Sequence, residues 1–229
     1  MVSRIPIVIA SPHARHDALE QMLREQPGLE VLRVRSPDEL DPSRLTAFAP
    51  RYVFFPHWSW KIPPEVFETF SCVIFHMTDL PFGRGGSPLQ NLVVRGLQDT
   101  QLTALRCVAE LDAGPIYLKR PLSLLGTAEE ILLRASQLTG EMIGHIVREH
   151  PVPQVQSGEP TIFRRRTPED GNLVQLDTLE KLFDHIRMLD AQGYPPAFLE
   201  TEHFKLEFSR ASLKADGVIA DVRISRKRT

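Results

Sequence analysis

A chain of 229 residues with 42% hydrophobic and 24% charged content has the composition of a folded globular protein. At this length roughly 70% of the unfolded surface is buried, so no disulfide framework or metal is needed for stability. The 27 Lys and Arg against 29 Asp and Glu leave a net charge of −2, which excludes a global pull toward nucleic acid. No apolar run approaches the ~18 residues of a membrane helix. Met1-Val2-Ser3-Arg4-Ile5-Pro6 carries one charge and a short apolar stretch, so it does not read as a signal peptide, and a cytoplasmic location is expected. Cys72 and Cys107 sit in apolar surroundings and read as buried thiols. The 19 prolines exceed the usual ~5% and mark loops.

The first third reads as alternating strand and helix. Ile5 to Ala10 is a buried strand. Asp17 to Glu25 puts Leu19, Met22 and Leu23 on one helical face, with Gly28 as the stop. Strands follow at Val31 to Val34, Tyr52 to Phe55 and Cys72 to Phe75, the last preceded by a short helix opened by Pro63-Pro64. This alternation predicts a mostly parallel sheet flanked by helices, an α/β class of Rossmann-like topology. The first strand–helix turn, Ala10-Ser11-Pro12-His13-Ala14-Arg15, contains no glycine, which discounts a dinucleotide site or a P-loop there.

His76 to Pro88 is a polar, glycine-rich loop directly after an apolar strand, where open α/β sheets bind ligands. Ser87 is placed to cap a helix running from Pro88 to Gly96. Strands at Leu102 to Leu111 and Ile116 to Leu118 are expected to flank a tight turn, Asp112-Ala113-Gly114-Pro115. Thr127 and Glu130 form a capping box for a helix reaching about Glu149. A basic loop from Arg164 to Gly171, a helix from Thr178 to Asp190, and two strands, Phe204 to Phe208 and Val218 to Ile224, complete the chain. The expected organisation is a catalytic domain over 1–150 and a small α+β extension over 151–229.

The segments Phe75-His76-Met77-Thr78-Asp79-Leu80-Pro81, Arg84-Gly85-Gly86-Ser87-Pro88 and Leu111-Asp112-Ala113-Gly114-Pro115-Ile116 resemble the formyltransferases that use N10-formyltetrahydrofolate. That family has a histidine after a core strand, a glycine-rich segment, and a later turn bearing an aspartate. The stretch Arg165 to Gly171 and Tyr194-Pro195-Pro196-Ala197-Phe198-Leu199 is similar to the family's downstream region. The resemblance implies a formyltransferase fold, N10-formyltetrahydrofolate as co-substrate, and no metal. It assigns His76 and Asp112 as the catalytic pair. An amine attacking the formyl carbon generates an oxyanion to which a histidine can donate. A nearby carboxylate favours the imidazolium and can accept the amine's proton. Each residue alone favours a structural His–Asp pair; their joint placement at two strand ends flanking a glycine loop favours the catalytic one.

One departure is clear: Ile74 stands where the family usually has an asparagine, a second oxyanion donor typically worth ~3 kcal/mol. His57, Thr78 and Asn91 are candidates to replace it, and the sequence does not choose among them. Trp58, Ser59, Trp60 and Lys61 lie in the loop that in the family contacts the pterin, with Thr78, Leu80 and Asp112 completing the expected folate site. The tryptophans fit either a wall for a flat heterocycle or core residues under a loop. His57, Arg84, Gly85, Gly86, Asn91, Arg165 and Arg166 are expected on the acceptor side. Arg164-Arg165-Arg166 reads as a solvated face or as a clamp on an anionic acceptor. Arg223, Arg226, Lys227 and Arg228 read as a frayed solubilising tail.

The family formylates methionyl-tRNA, glycinamide ribonucleotide or nucleotide-linked amino sugars. A short extension and a charge of −2 weigh against tRNA, and the Ser11-Pro12-His13 turn against the ribonucleotide. The wording Phe75 to Asn91 is similar to a subgroup associated with bacterial surface sugars of the pseudaminic acid type. The expected acceptor is therefore a nucleotide-linked amino sugar, with UDP-4-amino-4,6-dideoxy-N-acetyl-L-altrosamine as the named example. Neither nucleic acid nor membrane is expected as a partner. A methionyl-tRNA formyltransferase-like enzyme on another amine, or an inactive folate- or sugar-nucleotide-binding module, are the alternatives. The C-terminal hairpin is open as a dimer surface or a lid, so a homodimer stays among the options.

Overall fold

The computed structural model describes residues 4–227; Met1-Val2-Ser3 and Arg228 of the expected tail lie outside the described residues. Its secondary structure begins with β1 (Ile5–Ala10), α1 (Asp17–Glu25), β2 (Leu29–Val34), α2 (Pro42–Phe48), β3 (Tyr52–Phe55), α3 (Pro64–Phe67) and β4 (Cys72–His76). It continues with β5 (Arg84–Gly85), α4 (Pro88–Val93), β6 (Asp99–Arg106), β7 (Ile116–Ser123) and α5 (Ala128–Glu149). The last part holds β8 (Ile162–Phe163), α6 (Leu179–Arg187), β9 (Ala197–Glu200), β10 (Phe204–Leu213) and β11 (Val218–Arg226). The chain divides into two compact units, each discontinuous in sequence. The first comprises Met1–Arg84, Gln101–Leu122 and Leu133–Ile162; the second Gly85–Thr100, Ser123–Leu132 and Phe163–Thr229. This differs from the expected division at residue 150. The segment beyond 150 belongs to the first unit because Gln154 exchanges both backbone hydrogen bonds with Ile116 of β7.

The first unit is built on the six-stranded sheet, of order β2-β1-β3-β4-β6-β7. β1 pairs in parallel with β2 and β3, and β3 in parallel with β4. A strand paired on both edges and covered on both faces reads as a continuous apolar run, and Ile7, Val8, Ile9 and Ala10 are fully buried. β6 returns antiparallel to β4, setting His76 opposite Thr103. β6 stops at Arg106, short of the expected Leu111, because the chain leaves the sheet for a loop that carries a left-handed residue at Asp112. Cys72 and Cys107 are free, buried thiols, and burial pushes both up, Cys107 to about 11. Among the described residues no helix is long and apolar enough to cross a membrane.

In the second unit the Thr127 capping box is present: Glu130 Oε2 accepts from the Thr127 N–H at 2.7 Å and Thr127 Oγ1 from the Glu130 N–H at 3.3 Å. The C-terminal sheet has three antiparallel strands, β11-β10-β9, where two were expected. β9 follows directly on Tyr194-Pro195-Pro196, a breaker that hides so short a strand. The described residues of the expected frayed tail are held in place. Arg223 and Arg226 lie in β11, and Lys227 pairs with Glu200 at 2.8 Å.

The glycine-free turn after β1 is shaped by a side chain. Arg33 of β2, itself buried, donates to the carbonyls of Ser11 (3.1 and 2.9 Å), His13 (3.1 Å) and His16 (3.3 Å). In the same turn the Ser136 hydroxyl donates to the Arg15 carbonyl at 3.1 Å, so His16 Nδ1–H must donate to Ser136 Oγ at 2.7 Å. Burial, then the charges of His57 and Arg33, hold His16 neutral down to about 3. The His57 ring packs tilted against His13 with centroids 4.4 Å apart, and burial, then His13 and Arg15, lower it to about 3. Both folded values lie below the ~6.5 of an unfolded histidine, so between these limits the unfolded chain binds more protons. Stability is therefore full above about pH 6.5 and falls as pH drops toward 3. Thermal melts from pH 7 to 5 are expected to show a falling midpoint, and His16→Asn with His57→Asn (asparagine tolerates the left-handed backbone at 57) to flatten it. A wild-type midpoint flat over this range would exclude neutral burial of these rings.

Candidate active site

His76 ends β4 and Asp112 sits in the β6–β7 connection; both belong to the first unit and both are buried, 8% and 7% exposed. His76 Nε2 lies 2.7 Å from the Gly83 carbonyl. A carbonyl only accepts, so Nε2 carries a proton and donates it. The other nitrogen, Nδ1, faces Asp112 Oδ2 at 3.6 Å. That distance is too long for a direct hydrogen bond and short enough for one bridging atom to touch both groups. The sequence expected these two residues at one place, and the fold brings them together.

Asp112 is held in the left-handed region, φ 51°, a conformation that costs a non-glycine residue ~1 kcal/mol or more. Gln156, which the sequence reading missed, braces it. Its Nε2 donates to the carbonyls of Asp112 and Gly114, each at 2.8 Å. Its Oε1 accepts from Arg84 Nε at 3.1 Å and Nη2 at 2.9 Å. Arg84 Nη1 reaches Glu110 at 3.1 Å. The Arg84 guanidinium, expected on the acceptor side, is thus engaged within the protein. A glutamine in a proline-flanked loop carries no sequence signal of this kind.

The aromatic loop after β3 presents Trp58 edge-on to Phe55 and to Trp60, with centroids 5.7 and 4.8 Å apart. Trp58 Nε1–H is shielded from solvent and has no hydrogen-bond partner among the described residues. Trp60 is 44% exposed, and Ser59 and Lys61 are exposed. Thr78 is fully buried and its hydroxyl donates to the Gly83 carbonyl at 3.3 Å. Leu80 is buried, and its carbonyl accepts from Lys119 at 2.6 Å. The Leu80–Pro81 peptide is cis.

His57 belongs to the first unit; Gly85, Gly86, Asn91, Arg165 and Arg166 lie in the second unit and are brought together there. A Cβ on Gly85 would stand 2.4 Å from the Phe163 carbonyl oxygen, and one on Gly86 2.6 Å from Arg165 Cβ, so close approach of the chain explains both glycines. Asn91 is buried with its amide donating to Gly86, Ser87 and Arg164 carbonyls at 3.0, 3.1 and 2.9 Å. These bonds remove it as a replacement oxyanion donor, as the bond to Gly83 removes Thr78. Ser87 does not cap α4: it has φ 50°, and its hydroxyl accepts from the Arg166 N–H at 3.1 Å. Arg164 pairs with Asp170, which holds that carboxyl down at about 2, so one charge of the arginine run is neutralised. Arg166 is half-buried and donates to the Asp170 carbonyl at 2.7 Å, while Arg165 is exposed.

A solved chain described as methionyl-tRNA formyltransferase from Clostridium thermocellum is 46% identical, with a TM-score of 0.95, over 97% of this chain and 100% of that one. The chain belongs to the formyltransferase family. The family model "Methionyl-tRNA formyltransferase, C-terminal domain" matches residues 168–225. The extension expected to be unlike the tRNA enzymes is therefore the part that this model describes. The Bacillus subtilis methionyl-tRNA formyltransferase is 23% identical over 212 residues, 89% of this chain and 65% of that protein. Other curated formyltransferases are matched over 52% to 56% of their length, so the chain spans about half to two thirds of such relatives. HypX from Aquifex aeolicus, solved with tetrahydrofolic acid, shares the formyltransferase fold at a TM-score of 0.74 and 19% identity, over 91% of this chain and 38% of that one.

The turn that presents Asp112 closes against β6, where Arg106 N–H donates to the Pro115 carbonyl at 2.8 Å. A Cβ on Gly114 would stand 1.8 Å from the Arg106 carbonyl oxygen. Gly114→Ala must push backbone from backbone, and a loss of about 2–4 kcal/mol is expected in urea unfolding. A loss below about 0.5 kcal/mol would show that the turn is not fixed against β6.

Proposed function

We propose that this chain transfers the formyl group of N10-formyltetrahydrofolate to a primary amine. The observation that carries the reading is the buried His76–Asp112 pair, spaced for one bridging atom. The residues of the aromatic loop fit a folate: the shielded Trp58 N–H offers an unmatched donor, and exposed Trp60 offers a stacking edge. The co-substrate supplies an activated formyl carbon when bound.

His76 acts through Nδ1, since Nε2–H is committed to Gly83. As the imidazolium it donates from Nδ1 to the carbonyl oxygen as negative charge develops there. Asp112 accepts the proton that the attacking amine loses and returns it to the departing folate nitrogen, so the C–N bond formed and the C–N bond broken balance in protons. Burial of both groups strengthens each interaction.

The acceptor best supported by the 46% identical relative and the C-terminal domain match is methionyl-tRNA. A second reading, a UDP-linked 4-amino-4,6-dideoxy sugar of the pseudaminic acid type, is favoured by the net charge of −2, which offers no basic excess to a polyanion. Tetrahydrofolate release is to be followed with N10-formyltetrahydrofolate and, separately, methionyl-tRNA and UDP- and dTDP-amino sugars. Release with one class identifies the acceptor. His76→Ala and Asp112→Asn are expected to lower kcat about 10²- to 10⁴-fold. Release with no amine, or variants as active as wild type, would refute the reading and leave a binding module.

A further inference from the structure

Gln156 is bonded on both sides of the candidate site. Its amide nitrogen has two hydrogens, given to the Asp112 and Gly114 carbonyls; its amide oxygen has two lone pairs, both taken by Arg84. All four bonding positions are filled. Arg84 follows Gly83, whose carbonyl fixes His76 Nε2–H. Arg84 N–H in turn donates to the Thr161 carbonyl at 2.9 Å, and the Thr161 N–H to the Pro81 carbonyl at 3.2 Å. The segment carrying Gln156 is anchored at its other end by Gln154 and Ile116. Gln156 therefore joins the loop that orients His76 to the turn that bears Asp112.

We propose that Gln156 is the positioning residue of this site: it holds Asp112 in its left-handed conformation and sets its separation from His76. The proposal rests on the reading of His76 and Asp112 as the reacting pair. The residue type follows from the chemistry. The turn presents two carbonyls, which need two donors, and the arginine presents two N–H groups, which need an acceptor. Of the side chains of this length, only a primary amide offers both at one end. Glutamate would keep the Arg84 pair and set an acceptor against two carbonyls. Methionine, of similar length, would lose both halves.

Gln156→Glu, Gln156→Met, Asp112→Asn and the double variant Gln156→Glu/Asp112→Asn are to be compared by kcat, KM for N10-formyltetrahydrofolate, and thermal midpoint. The acceptor is whichever of methionyl-tRNA or UDP-4-amino-4,6-dideoxy sugar the wild type formylates. Gln156→Glu is expected to lower kcat about 10- to 100-fold, the scale of a small misplacement of a reacting group. Its KM is expected within about threefold of wild type and its midpoint near wild type, because the arginine pair survives. In the Asp112→Asn background the same substitution is expected to cost less than about twofold, since a residue acting through Asp112 has nothing left to position. A purely structural residue would lower kcat in step with the midpoint and by the same factor in both backgrounds. Wild-type kcat in Gln156→Glu, or an equal loss in the Asp112→Asn background, would overturn the proposal while leaving the catalytic pair standing. A fully active Asp112→Asn would overturn the reading of the pair, and the proposal with it.

Discussion

The chemistry of this site depends on a distance that no single element sets. His76 is delivered by a strand end, and Asp112 by a loop that has already left the sheet. A strand end is rigid because its ladder is complete; His76 is in register with Thr103, whose hydroxyl holds the Thr78 carbonyl at 2.7 Å. A loop has no ladder, so its backbone groups need partners from elsewhere. Gln156 supplies two of them, and Arg84 ties Gln156 to the histidine's own loop. The result is a closed circuit of hydrogen bonds around two groups that stay 3.6 Å apart and do not bond directly. Holding them at that spacing keeps room for a reacting atom, which a direct ion pair would not.

The same solution recurs at the first turn. Arg33 satisfies three carbonyls of the glycine-free turn after β1. A guanidinium is suited to this because it has five donors in a fixed plane and no acceptor. Its carboxylate neighbours are secondary: Glu20 stands at 3.6 Å and Asp17 at 3.8 Å. In both turns a long polar side chain from a neighbouring segment does what local backbone geometry does in shorter loops.

This is also where the sequence was legible and where it was not. β1, β3 and β4 were readable because a strand buried on both faces must be apolar throughout. The capping box at Thr127 was readable because its partners lie three residues apart. His76 and Asp112 were readable through their flanking motifs. Gln156 was not: its partners Arg84, Asp112 and Gly114 are distant in sequence, and nothing local distinguishes it from a solvated glutamine. That the glycines at 85 and 86 make room for the chain at Phe163 and Arg165 is not legible, since a sequence shows the absence of a side chain and not what fills the space. In the arginine run charge is visible in sequence, while the partner that Arg164 finds at Asp170 is visible only in space.

Ile74 bears on how a site can differ from its family and stay coherent. Ile74 packs with Trp58 against the apolar cluster of Val53, Phe55, Val66 and Cys72. Ile74 is half-buried there, and an amide in its place would give up the apolar contact that the isoleucine makes with this cluster. The aliphatic residue therefore fits the packing that the aromatic loop creates. Two of the three side chains that could have restored the donor are bonded to backbone carbonyls, Thr78 to Gly83 and Asn91 to three others. The third, His57, is held neutral in contact with His13. The shielded indole N–H of Trp58 is a buried donor that the fold leaves unmatched. An orphaned donor is unfavourable in a folded chain unless something binds to it, and this one lies on the same cluster that Ile74 packs against.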